Sequence, residues 1–246
     1  MSFRIDSLPW DSEFWHMRVG RVSVESSGAD VSAGSLRALI DQQGFDFLQA
    51  LLPLDDVNAI QVAEELGFRL VDIRCEVALR VSDHVPLAAT SFTVELCGPE
   101  EFVAVAELAA SCHSISRFAC DPHLDAMRTA DLYRRWVYRD GELPGWRVGV
   151  VRGDLGVMGY VTYGIDADNN GALGVVGVAE HSRGEGVGIA LVDYATTWCL
   201  ANGAETMRIV TQAGNRAAMA MYRRLRFEVR DLDAWLHWHR AEASSR

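Results

Sequence analysis

The chain has 246 residues, 49% of them hydrophobic, and a formal net charge of −11. That acidic balance argues against a nucleic-acid partner, which asks for a basic surface, and no apolar run reaches the ~18 residues of a membrane span. The N-terminus lacks a basic-then-apolar leader, so a cytoplasmic protein is expected, and five cysteines without CxxC spacing read as free thiols rather than a disulfide frame or zinc site.

An aromatic-rich opening, Leu8 to Trp15, precedes a strand at Arg18 to Val24, a helix at Ala33 to Gln42 and a strand at Phe45 to Leu51. A helix at Val57 to Leu66 stops at Gly67, and Phe68 to Val81 reads as one long strand. Alternating strands and helices define an α/β unit over residues 1–85, with polar Ser82 to Pro86 as the link to a second domain over 90–246. In the second part Phe92 to Leu96 reads as a strand, and Pro99 to Ser111 and Thr129 to Arg139 as helices. Trp146 to Val151 and Gly156 to Gly164 form a hairpin pattern.

Next, the apolar run Ala172 to Val178 leads through Arg183-Gly184-Glu185-Gly186-Val187-Gly188 into a helical pattern over Ile189 to Ala201. Glycines between a strand and a helix let the backbone approach a ligand, and helix-terminal amides attract phosphate. The spacing is not a dinucleotide fingerprint, because the sixth position counted from Gly184 is Ile189; nor is it a P-loop, because the chain has no lysine. A strand at Met207 to Thr211 follows, then Asn215 as N-cap of a helix over Arg216 to Leu225, and a strand opened by Phe227.

Arg183-x-x-Gly186-x-Gly188 followed by Asn215-x-x-Ala218-x-x-x-Tyr222-x-x-x-x-Phe227 resembles the GNAT N-acyltransferases. Arg226 departs from that pattern, which has glycine there, and this weakens the expected helix-to-strand turn. The resemblance implies a mixed, mostly antiparallel α/β (α+β) sheet flanked by helices, with a smaller N-terminal α/β domain contributing to the acceptor site. It implies acetyl-CoA (acyl-CoA) as co-substrate, its pantetheine arm along Val176 and Val178 and its diphosphate on the loop Arg183, Gly184, Glu185, Gly186, Val187 and Gly188, with Asn215 and Arg224 nearby. Tyr222 takes the position of the general acid, which suits a phenol protonated at neutral pH. An amide near Val178 would meet the oxyanion.

Four further segments resemble the members that acetylate an amine on a nucleotide-linked deoxysugar: Trp10 to Phe14, Leu66 to Val71, Ser116-Arg117-Phe118 before the Tyr133 to Trp136 helix, and Val210 to Asn215 with Trp235 to Trp238. In that reading Arg117 binds diphosphate, Phe118 stacks on the base or covers the sugar, and His113 lies beside them. The general base stays open between Asp72, His113 and water. Other expectations are a different small amine (an antibiotic amino sugar, an amino acid or a polyamine), a non-catalytic acyl-CoA-binding module, and a homodimer. His237 and His239 share one face of the last strand, but the sequence shows no further ligand beside them, so no metal is expected.

Overall fold

The computed structural model describes residues 2–25, 32–87, 90–113 and 115–240. In chain order the elements are β1 (Ser2–Ser7), α1 (Pro9–Trp15), β2 (Val19–Glu25), α2 (Ala33–Gln43), β3 (Phe47–Pro53), α3 (Val57–Glu65) and β4 (Arg69–Arg80). They continue with β5 (Val94–Leu96), α4 (Phe102–Cys112), α5 (Ala126–Glu142), β6 (Arg147–Gly153), β7 (Gly156–Ile165) and β8 (Gly171–Val178). The last four are α6 (Val187–Ala201), β9 (Thr206–Gln212), α7 (Arg216–Arg224) and β10 (Glu228–His239).

Backbone contacts divide the chain into two units, and the division falls inside β4 and β10. The first holds the described residues of Met1–Arg74, Cys120–His123 and Asp231–Arg246. Here β1 pairs antiparallel with β2, β2 parallel with β3, and β3 antiparallel with β10. Side chains cap its helices: Ser32 forms a capping box with Ser35 on α2, and Asp56 accepts the Ala59 amide on α3. Leu36, Ile40, Leu48, Leu52, Val62 and Leu236 form its core.

The second unit holds Cys75–Ala119 and Leu124–Arg230. In it β5, β6, β7 and β8 make consecutive antiparallel pairs, and β8 continues parallel to β9. Period-2 alternation gives this sheet two apolar faces. Val148, Val150, Tyr160 and Val175 pack on α4 and α5, while Val151, Val161 and Tyr163 pack with Leu191 and Ala195 of α6 and Tyr222 of α7. Helices therefore cover both sides, the arrangement that the glycine-loop resemblance implies.

Two local features of this unit position the site. Thr162 of β7 stands opposite two residues of β8, because Val161 pairs with Val176 while Tyr163 pairs with Leu173. This is a β-bulge, and the Thr162 hydroxyl fills it: Oγ1 accepts the Val175 amide at 2.8 Å and donates to Asp140 of α5 at 2.6 Å. The second feature is the end of α7. The Phe227 amide donates to the Tyr222 carbonyl and the Arg226 amide to the Arg223 carbonyl, with Arg226 at φ 67°, which is a Schellman closure.

The turn that Arg226 was expected to weaken therefore forms, with arginine held in the left-handed region that glycine occupies at no steric cost. Arg226→Gly is expected to stabilise the protein by about 0.5–1 kcal/mol, the strain relieved less the added freedom of the unfolded chain. Chemical denaturation checks this; a lower midpoint for the variant would show that the arginine side chain contributes more than the strain costs.

Candidate active site

The site grows from the divergence of two strands. β8 and β9 pair only over Gly171–Ala172 against Met207–Arg208, and the remaining length of β8 runs on without β9 beside it. A wedge of this kind exposes one backbone edge of β8, to which an extended ligand can add as a strand. Val176 and Val178 lie on this stretch, both half-buried.

At its far end the Val178 carbonyl accepts from Arg183 Nε at 3.2 Å and from Cys112 Sγ at 3.4 Å. Arg183 thus folds back on the strand, and the chain turns through Gly184 at φ 83° and Gly186 at φ 103° into α6. Among the described residues no side chain caps the N-terminus of α6, which leaves its first amides open to an anion. Glu185 is exposed and Val187 buried, which anchors the loop to the core while its tip stays in solvent. A methyl group on Gly188 would stand 3.2 Å from Met221 Sδ and 3.5 Å from Val178 Cγ2. The loop, the strand end and α7 therefore meet at Gly188, where a side chain would press on the Met221 thioether.

α7 begins where Asn215 Oδ1 accepts the Ala218 amide at 3.2 Å, so Asn215 is the N-cap. Tyr222 is 2% exposed and packs edge-on against Phe227 at 5.8 Å. Burial pushes its phenol above the ordinary value, so it stays protonated across any neutral range. Arg224 is exposed in the last turn.

On the opposite sheet face, α4 and α5 enclose a cavity of about 340 Å³ lined by Ser111, His113, Phe118, Thr129 and Tyr133. Two expected substrate residues, His113 and Phe118, thus share one wall system. His113 stacks on Tyr133 at 4.1 Å and its Nε2 lies 3.1 Å from the Tyr160 hydroxyl. Burial lowers its imidazole to about 4, so it is neutral near pH 7. The Thr129 hydroxyl is buried, with no hydrogen-bond partner among the described residues.

Phe118 is 2% exposed, edge-on to Trp136 at 6.0 Å, and the Arg117 guanidinium lies 4.0 Å over its ring. That guanidinium lies over one face of Phe118, and the ring forms part of the cavity wall. Asp72 lies in the first unit, half-buried on β4, and its Oδ1 accepts the Ile73 amide at 2.8 Å. Tyr222 and the glycine loop lie in the second unit.

The sequence assigned no part in the site to Thr129, Tyr133, Tyr160 or Thr162. Thr129 and Tyr133 do stand one helical turn apart, a spacing that marks a common face. Nothing in the sequence placed Thr162, because a bulge is a property of register between two strands.

A strand wedge, an uncapped glycine-preceded helix and a buried tyrosine after an Asn-capped turn define an acyl-CoA-dependent acyltransferase. The chain belongs to the acetyltransferase (GNAT) family, whose model matches residues 102–227. Members of the family take the acyl group from acetyl-CoA.

Among its relatives, the dTDP-fucosamine acetyltransferase of Escherichia coli O6:H1 is 23% identical over 237 residues, covering 95% of this chain and 97% of that protein. The mycothiol acetyltransferase of Renibacterium salmoninarum is 27% identical over 85% of this chain and 63% of its own. A GCN5-related N-acetyltransferase from Kribbella flavida shares the fold at a TM-score of 0.67 and 18% identity, over 96% of this chain and 87% of that one. None of the described helices is long and apolar enough to cross a membrane.

Proposed function

We propose that the protein transfers the acetyl group of acetyl-CoA to the amine of a nucleotide-linked amino-deoxysugar. The observation that carries this reading is the match to dTDP-fucosamine acetyltransferase over nearly the full length of both chains, N-terminal segment included. In this reading residues 1–85 contribute to the acceptor side and 90–246 bind acyl-CoA.

The pantetheine arm lies along Val176 and Val178, and the diphosphate on the amides of Gly184 to Gly188, with Arg183, Asn215 and Arg224 at its rim. The cavity beside His113 suits a sugar-sized group. Its Thr129 hydroxyl, without a partner among the described residues, offers a hydrogen bond, and Arg117 offers a charge to the sugar nucleotide's diphosphate.

The amine attacks the thioester carbonyl, and the oxygen that gains charge is met by a backbone amide near Val178. Forming the C–N bond makes the nitrogen acidic, so a weak base suffices at that stage. Neutral His113 and the Asp72 carboxylate are the two side chains proposed for that proton, with water as the third route. Collapse of the adduct expels the CoA thiolate toward the Tyr222 hydroxyl.

Thiol release measured on a panel of TDP- and UDP-linked amino sugars tests the assignment. A TDP-linked amino-deoxysugar should turn over in the ordinary enzymatic range of about 1–10³ s⁻¹. Arg117→Ala should raise its KM and leave that for acetyl-CoA unchanged. The 27% identity to mycothiol acetyltransferase favours a second acceptor for the panel. Turnover with that enzyme's acceptor and none with any nucleotide sugar would overturn the first reading.

A further inference from the structure

The last strand and a short turn of the first unit build a second cluster that the acyl transfer does not use. His237 and His239 project from one face of β10, as its alternation requires. The turn at Cys120–His123 belongs to the same unit and supplies the ligand that the sequence did not reveal. Asp121 Oδ2 accepts from His237 Nδ1 at 2.6 Å and from His239 Nε2 at 2.8 Å. Its Oδ1 accepts the His123 amide at 2.9 Å.

Phe47 orients both rings, edge-on to His237 at 4.9 Å and flat against His239 at 4.5 Å. Asp121 is 3% exposed and His237 2%.

We propose that Asp121, His237 and His239 form a binding site for a divalent first-row transition-metal ion. The three ligand atoms, one from each residue, lie within 4.8 Å of one another. Two imidazole nitrogens and one carboxylate oxygen suit zinc, cobalt or ferrous iron, whereas magnesium and calcium take oxygen ligands. Ligands about 2.0–2.2 Å from a metal stand roughly 3 Å or more apart, so a modest opening of the two short N···O contacts admits an ion. Each imidazole would then coordinate as its other tautomer, its proton moved to the far nitrogen. His123, whose ring lies 4.7 Å from that of His239, is a further donor at hand.

The test uses the tag-free full-length protein, stripped with a chelator, dialysed and titrated with Co²⁺. One ion per chain by elemental analysis, visible d–d bands without thiolate charge transfer, and a raised Tm are expected. His239→Gln and Asp121→Asn should each weaken Co²⁺ binding by more than the ~10–100-fold that loss of a merely supporting group costs. Two variants are used so that one misfolded protein, recognised by circular dichroism, does not decide the result. No stoichiometric uptake by the wild type would overturn the proposal. So would unchanged uptake in the folded variants, or thiolate bands that place the ion on cysteine.

Discussion

Replacing Tyr222 with phenylalanine is expected to lower kcat by about 10²–10⁴-fold, the range that a positioned proton donor supplies, while acetyl-CoA affinity holds. The side chain is 2% exposed within the core that α6 and α7 share, and phenylalanine keeps its ring and its edge contact with Phe227. The substitution therefore removes the hydroxyl and little else. CoA binding, proposed to rest on the amides of Gly184 to Gly188 and on the wedge between β8 and β9, does not involve that hydroxyl.

Burial raises the phenol, so full proton transfer to a thiolate, whose parent thiol has a reference pKa near 8.5, is uphill. The larger part of the effect is then a hydrogen bond that strengthens as charge reaches the departing sulfur. It follows that Tyr222 gives the rate profile no alkaline limb below about pH 10, the reference phenol value. Steady-state kinetics with calorimetric CoA binding measure both quantities. A kcat within a few-fold of wild type would remove Tyr222 from the chemistry, and a matching loss of CoA affinity would make it a packing residue.

What could be read from the amino-acid order follows from how local each feature is. The strand before the glycine loop, the helix after it and the Asn215 cap are fixed within a few residues, and β8, α6 and α7 stand where periodicity and capping placed them. The opening went unread for the same reason in reverse. β1 has only two inward residues, Phe3 and Ile5, too few to display alternation, and α1 is a seven-residue helix whose one sign was Pro9 in its first turn.

Features that depend on distant pairings left no such trace. Asp121 meets His237 across 116 positions, so the two histidines looked partnerless. The burial of Phe118 left no mark in the sequence, because nothing local shows that Trp136 of α5 would pack against it. The helix-end turn at Arg226 lies between these cases. Glycine was expected there for its conformation, and the conformation is kept without the glycine because two backbone hydrogen bonds hold it.

Thr162→Val should have the largest effect on stability, about 2–4 kcal/mol, with a Tm lower by roughly 10 °C in a chain of this size. Valine matches threonine in shape, so no cavity opens at this fully buried position. What disappears is the hydroxyl that accepts the Val175 amide at 2.8 Å and donates to Asp140 at 2.6 Å. The amide is left without its partner inside the sheet. Asp140, whose other oxygen is held by Arg139, keeps an uncompensated lone pair where its side chain is 1% exposed.

The bulge offers one escape, which is to slip β8 by a residue and restore regular pairing with β7. A slip of one residue turns every following side chain to the opposite face, including Val176 and Val178 of the proposed pantetheine edge. The variant should therefore raise the KM for acetyl-CoA as well as lower the melting temperature. Thr162→Ser keeps the hydroxyl and should recover most of both losses. Full damage from serine with little from valine would mean that the methyl group matters and the hydrogen bonds do not, and the bulge would then have no part in binding the cofactor.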